Sequence, residues 1–402
     1  MRILRPPRAA PAEAARVTRA EINLAHVRHN LREVRACLDA DARARGQETP
    51  TKIWAVLKAD GYGHGAAAIA TSLESHGIDG LCVALLEEGL ELRNAGVRAP
   101  VLVMGGYYGR FRDGVEALIE GDLTPVIYDA GQIEALAAAA RFMQRSPIPV
   151  HLKIDTGMGR LGVRESGLGE MLRILRGTRE LRLEGLMTHL ACADSDLQST
   201  CAQLEDFELA STRVREAGFS PTLRHAANSA ALLRLPSSQC DVVRPGLAIF
   251  GVHPCAPDRA RPPNLKPVMR VLSEVVALRD LPAGAAIGYG HTWQARRPSR
   301  IATIPMGYAD GLSRALSNRG AVLIAGRRAP IVGTVSMDLT MVDVTDLPAI
   351  SIRDEVVILG HQRGRLGEDT ITADEIAAHI GTISYECLTS ISRRVPRFYR
   401  HP

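Results

Sequence analysis

The sequence predicts an α/β protein, a (β/α)8 TIM-type barrel followed by a C-terminal mainly β domain. Two observations carry this. From residue 53 to about 255, eight short apolar runs alternate with helix-period segments, and several of the runs close on Gly, Asp or His. Beyond a proline-rich join from Pro254 to Pro267, the pattern changes to short β-type runs separated by turn signals. At 402 residues the chain is long enough for both parts, and 46% apolar with 23% charged is ordinary for a globular protein.

The first 18 residues read as a flexible extension rich in Ala, Pro and Arg, or as the product of an upstream start codon. Arg2, Arg5, Arg8, Arg16 and Arg19 against Glu13 account for four of the five net positive charges, so the excess belongs to this tail. The barrel is expected over 19–257, with Glu21 to Leu24 as a strand that can join the second domain and a helix starting near His26. The barrel strands are expected at Ile53–Leu57, Gly80–Leu85, Val101–Met104, Leu123–Ile127, Val150–Ile154, Leu183–Thr188, Thr222–His225 and Val242–Ile249. A doubly wound open sheet competes, but no GxGxxG turn follows the first strand. The β domain, 258–402, is expected to hold strands at Val268–Leu278, Arg300–Pro305, Ala321–Ile324, Ile331–Val335, Thr340–Val344 and Glu355–Leu359. One helix interrupts it, opened by Thr372 and Glu375 as a capping box and stopped by Gly381.

Composition excludes several function classes. No apolar stretch approaches the roughly 20 residues a membrane helix needs, and the N-terminus lacks a secretory apolar core, so a cytoplasmic protein is expected. Aromatics at 4% without an interleaved basic stripe argue against a nucleic-acid platform. The seven cysteines are scattered without CxxC pairs and read as reduced thiols, with neither a zinc site nor a disulfide framework.

Lys58 ends the first apolar run and is followed at once by Ala59-Asp60-Gly61-Tyr62-Gly63-His64-Gly65. A buried strand thus delivers one amine to a glycine-rich turn. Burial disfavours the ammonium, which suits a Schiff-base lysine. Taken alone, the same lysine also reads as one that snorkels to solvent. On the barrel reading Lys153, His189, Asn228, Ser229 and Arg244 also fall at strand carboxyl ends, where barrel chemistry gathers.

The string from Lys58 to Gly65 resembles the pyridoxal 5'-phosphate (PLP) signature of alanine racemases. Further segments match that family in order: His151 to Arg160, Thr188-His189, Asn228-Ser229, Arg244-Pro245-Gly246, Gly288-Tyr289-Gly290, Gly307 to Gly311, Ser336-Met337-Asp338 and Ile383 to Glu386. The resemblance covers nearly everything after residue 19. It implies a PLP enzyme that racemises alanine with two bases and works as a homodimer with shared active sites. Lys58 would anchor PLP and serve the D face. Tyr289, from the partner subunit, would serve the L face, and a phenol with a reference pKa of about 10 takes that role only beside cations.

The same resemblance assigns further roles. Arg244 would donate to the pyridine nitrogen, which a permanently charged guanidinium leaves unprotonated. His189 would hold Arg244, and Tyr62, Asn228, Ser229, Gly246 and Tyr385 would hold the phosphate. Arg160 would meet the PLP phenolic oxygen and, with the Met337 amide, the substrate carboxylate. Lys153 matches a lysine that many members carry as a carbamate. Tyr308, Asp194 and Arg314 match the entrance, and Tyr308 with Tyr385 would limit the pocket to a methyl-sized side chain. No metal is implied. D-alanine for bacterial peptidoglycan is the implied product. A serine or broad-specificity racemase and a non-catalytic PLP-binding protein are the alternatives, the second opposed by the long β domain. Amino-acid decarboxylases are opposed by Arg244.

Overall fold

The computed structural model describes residues 16–400 apart from 48, 108–111 and 256–261; most of the expected extension and the centre of the proline-rich join lie outside the described residues. Two compact units result. One contains 26–61 and 66–266, and the other contains 16–25, 62–65 and 267–400.

Strand β1 (Arg19–Asn23) precedes the long helix Leu24–Ala44. The barrel strands follow: β2 (Lys52–Val56), β3 (Gly80–Val83), β4 (Val101–Val103), β5 (Thr124–Ile127), β6 (Ile148–Lys153), β7 (Leu181–Met187), β8 (Leu223–His225) and β9 (Val242–Val243). They pair in parallel in the order β8-β7-β6-β5-β4-β3-β2-β9. The ring closes where the Asp241 amide donates to the Arg224 carbonyl (3.0 Å) and the Arg244 amide to the Ala227 carbonyl (2.9 Å). All eight expected strands are present. β9 is much shorter than the expected Val242–Ile249, because Pro245 cannot donate to a ladder and Gly246 to Gly251 coil into a turn. The apolar character of Leu247 to Ile249 reflects burial in that turn.

The second unit is built on a seven-stranded sheet. Its strands are β10 (Met269–Glu274), β15 (Ala321–Ile324), β16 (Arg327–Pro330), β18 (Glu355–Gly364), β19 (Gly367–Ile371) and β20 (Arg397–Arg400), together with β1. β1 lies between β10, antiparallel, and β20, parallel. A three-stranded sheet joins β11 (Ala277–Leu281), β14 (Ser299–Ile304) and β17 (Thr340–Asp343), and β12 (Ala286–Ile287) forms a hairpin with β13 (Trp293–Gln294). Leu272, Leu323, Val357 and Ile371 form a core with Ile376 against it. The helix at Ala373–Ile380 starts where Thr372 accepts the Glu375 amide and stops at left-handed Gly381.

Further expectations change. The run Val268–Leu278 breaks into two strands, Ile331–Val335 makes only the bridge Ile331 to Val342, and a second helix occupies Ser384–Ser390. Arg16 and Thr18, expected in the loose extension, are anchored. Arg16 grips both carboxylate oxygens of buried Asp310 at 2.6 Å, and the Thr18 hydroxyl donates to the Pro305 carbonyl.

Among the described residues no helix is long and apolar enough to cross a membrane, no disulfide forms, and no cluster of His, Cys, Asp or Glu could hold a metal ion.

Inside the barrel unit, space is set by glycines facing rings. A Cβ on Gly80 would stand 2.7 Å from the Trp54 indole, whose ring is itself stacked on His151 at 5.5 Å. Gly80→Ala should therefore destabilise the protein by about 1–3 kcal/mol through overpacking. Urea unfolding measures this, and an unchanged midpoint would show that the indole is free to move.

Candidate active site

Lys58 is set by an unusual backbone. Ala59, Asp60, Gly61 and Tyr62 have φ of 52°, 56°, 61° and 52°, a left-handed turn of which only one residue is glycine. Each non-glycine residue in that region costs about 1–2 kcal/mol. The turn persists because its polar groups are matched. The Gly61 amide donates to the Leu57 carbonyl (2.8 Å) and the Ala66 amide to the Asp60 carboxylate (2.9 Å). The Ala59 amide donates to Glu88 (2.6 Å), whose other oxygen accepts the amides of Ala84 and Leu85. Glu88 thereby pins the end of β2 to the turn after β3. Strain held this firmly beside an amine marks a functional site.

The basic residues expected at the site are electrostatic neighbours. Burial lowers the Lys58 ammonium from its ordinary value, Arg160 adds to the effect and Glu88 opposes it. Lys153, at the end of β6, is only 5% exposed. Burial, with Arg160 and Arg244 nearby, brings it down to about 8. Among the described residues no carboxylate lies within ion-pair distance of it. His189 is neutral, held at about 3 by burial and then by Arg244, Arg160 and both lysines. Asp155 spends its carboxylate on the amides of Gly157 (3.2 Å) and Gly159 (2.9 Å) in the loop that carries Arg160.

Arg244, 2% exposed, is fixed by acceptors all around it. It donates to the carbonyls of Thr188 (2.8 Å) and Ala226 (3.1 Å) and to Nδ1 of His225 (2.7 Å). Burial brings its pKa to about 10, so it stays charged. The imidazole that holds Arg244 is therefore that of His225, not of His189 as expected. His225 closes the apolar run Thr222–His225, and a polar residue at a strand terminus was the available signal.

Asn228 caps the helix Ser229–Arg234, accepting the Ala231 amide at 3.0 Å. Ser229 lies just inside, and its hydroxyl oxygen accepts the amides of Gly246 (2.8 Å) and Ala248 (3.3 Å). Gly246, expected to offer its amide to a phosphate, commits it to Ser229. With both lone pairs used, the Ser229 hydroxyl keeps its proton to donate. Asp194 is exposed and accepts from Ser195.

In the other unit, Tyr62 is buried with its ring 5.8 Å from that of Tyr385. Tyr289 sits in the β12–β13 hairpin between left-handed Gly288 and Gly290 and is 75% exposed, so it does not serve as packing. Its carbonyl accepts the Thr334 hydroxyl (2.9 Å). Tyr308 and Met337 meet through backbone bonds, Tyr308 to Ser336 (3.0 Å) and Ala309 to Met337 (3.1 Å). A Cβ on Gly307 would lie 2.3 Å from the Ser336 carbonyl, so only glycine permits this approach. Tyr308 and Arg314 line one concavity of about 290 Å³.

A strained turn presenting a half-buried amine to several cations at the carboxyl ends of parallel barrel strands defines a barrel enzyme built to handle an anionic ligand. The family comparisons agree. The model "Alanine racemase, N-terminal domain" matches residues 22–254 and "Alanine racemase, C-terminal domain" matches residues 268–399. The chain is 60% identical over 388 residues to an alanine racemase of Sorangium cellulosum, covering 96% of this chain and 100% of that one. It resembles the crystal structure of Bacillus anthracis alanine racemase with bound L-Ala-P at a TM-score of 0.86 and 32% identity, covering 98% of this chain and 96% of that one. The Bartonella henselae alanine racemase with covalently bound pyridoxal phosphate matches at a TM-score of 0.81 and 30% identity, covering 96% and 99%. The chain belongs to the alanine racemase family and is an enzyme of the isomerase class.

Because Glu88 raises the Lys58 pKa, Glu88→Gln should move it further down. The pH profile of Lys58 reductive alkylation in the cofactor-free protein, read by peptide mass spectrometry, should shift to lower pH, and an upward shift would contradict this electrostatic assignment.

Proposed function

We propose that the protein interconverts L-alanine and D-alanine as a PLP-dependent racemase using two bases, Lys58 and Tyr289. The observation that carries the reading is the Lys58 amine, its ammonium disfavoured by burial and its position held by the left-handed turn. The residues fit the cofactor. Lys58, Lys153, Arg160 and Arg244 form a set of mutually interacting cations with few carboxylates near, a donor set suited to a phosphate and a substrate carboxylate.

PLP, when bound, supplies an electron sink that acidifies the substrate Cα proton. Lys58 anchors the cofactor and moves the Cα proton on the D face, where a partly neutral amine can accept it. Tyr289 moves the proton on the L face. Arg244 holds the pyridine nitrogen without surrendering its own proton. Ser229, Asn228, Tyr62 and Tyr385 hold the phosphate, while Arg160 and the Met337 amide hold the substrate carboxylate. Tyr308, Asp194 and Arg314 line the entrance.

Tyr289, Met337 and Tyr308 are exposed in the single chain, which supports a homodimer in which the β unit of one subunit completes the site of the other. The product, D-alanine, would serve peptidoglycan synthesis in the cytoplasm of a bacterium.

Lys153 is nearly inaccessible and surrounded by cations, so conversion to a carbamate would replace a repelled charge by an attracted one. The reaction needs the neutral amine, which predominates above about pH 8. Carbamate occupancy under bicarbonate, read by native mass spectrometry, should rise with pH through that value and vanish in Lys153→Ala; no carbamate at any pH would remove this part of the reading.

The function itself is tested by incubating the protein with L-alanine in deuterium oxide. Formation of D-alanine with deuterium at Cα, and little exchange with L-serine or L-lysine, is expected; a cofactor absorbance change without loss of chirality would overturn it. Tyr289→Phe should lower kcat by about 10²–10⁴-fold, the usual worth of a general base, and Lys58→Ala should abolish turnover.

A further inference from the structure

Beneath the proposed site, a line of polar side chains runs through the barrel unit. Arg244 Nη1 lies 2.7 Å from His225 Nδ1, and His225 Nε2 lies 2.7 Å from His151 Nδ1. His151 Nε2 faces the Glu184 carboxylate at 3.7 Å. Both imidazoles are fully buried, and the Trp54 ring lies against them at 5.5 and 6.2 Å.

Two backbone features build this line. The β6–β7 register runs from Val150 opposite Leu183 to His151 opposite Gly185, which makes Glu184 the extra residue of a β-bulge. Bulges re-aim side chains, and this one brings a carboxylate beside His151. A Cβ on Gly185 would lie 2.4 Å from the His151 ring, so a glycine there is what admits the imidazole.

The direction of every proton in the line follows. A guanidinium can only donate, so His225 accepts at Nδ1 and carries its proton on Nε2. That proton is donated to His151 Nδ1, which puts the His151 proton on Nε2, facing Glu184. Burial keeps both histidines neutral, so no alternative arrangement arises by charging them. The link to Glu184 exceeds hydrogen-bond range and acts as a charge on an N–H dipole. The His151 N–H and Arg182 (2.9 Å) hold the Glu184 carboxyl down at about 2, so it is ionised at working pH.

We propose that Glu184, beside the His151 N–H and through it His225, is a positioning residue that holds the two rings, whose tautomers Arg244 sets, against the guanidinium and thereby fixes its rotamer. A carboxylate whose side chain is 23% exposed would then govern a guanidinium that solvent barely reaches. The effect on turnover rests on the racemase reading, whereas the tautomer assignment does not.

The test uses holoenzyme labelled with ¹⁵N-histidine. In the wild-type protein both rings should give Nε2–H signals only. Glu184→Leu leaves the His151 Nε2–H facing no carboxylate and should move its ¹⁵N signal, shift the cofactor absorbance band and lower kcat by about tenfold with a KM for alanine within about twofold. Glu184→Gln, whose amide oxygen still accepts, should restore the His151 signal and most of kcat. A wild-type cofactor band and kcat in Glu184→Leu would overturn the proposal. So would an Nδ1–H tautomer at either ring of the wild-type protein, a measurement that stands even if the leucine variant fails to fold. Ordered tautomers in a protein that does not racemise alanine would instead overturn the functional reading and leave the relay intact.

Discussion

A guanidinium buried at the closing edge of a parallel barrel is the constraint on which the site is organised. Arg244 has no solvent to satisfy it, so the chain supplies carbonyls from the ends of β7 and β8 and the ring of His225. Its field then acts on its neighbours. It helps keep His189 neutral, contributes to the lowered Lys153 and, with Arg160 and burial, leaves the mouth short of negative charge. A pocket in this condition gains more from an anionic cofactor and an anionic substrate than from a neutral one.

The two sides of the proposed chemistry are held by opposite means. Lys58 is half-buried and immobilised by a strained turn whose amides are clamped by Glu88 and Asp60. Tyr289 stands out from a short hairpin in the single chain, anchored through its backbone while its ring stays accessible. On the proposed mechanism, a half-buried base with a rigid backbone and an exposed one on a hairpin suit a site completed by assembly.

Most of the barrel was legible because parallel strands covered on both faces read as continuous apolar runs, several of them closed by a turn residue. The last run misled at its end, since Leu247 to Ile249 is equally apolar as a buried turn. In the β unit, edge strands such as β16 (sequence Arg-Arg-Ala-Pro) carry little apolar signal and were missed, as was the seven-residue helix from Ser384. The residues proposed for the site were picked out through the motifs that surround them. The residues that hold them were less so: Glu88, His151, His225 and Glu184 act through contacts between strands distant in sequence. The left-handed run at Ala59, Asp60 and Tyr62 defies local preference, and tertiary hydrogen bonds decide it.

The position of β1 has a consequence for biogenesis. Arg19–Asn23 sits between strands near residues 270 and 400, and Glu21 bonds Arg400 across a separation of 379 residues. A ribosome must therefore reach residue 400 before β1 has both neighbours. The barrel residues are synthesised in between and can fold while β1 waits, which leaves an unpaired edge strand for the duration of translation. Chaperone demand for this enzyme should thus track elongation time.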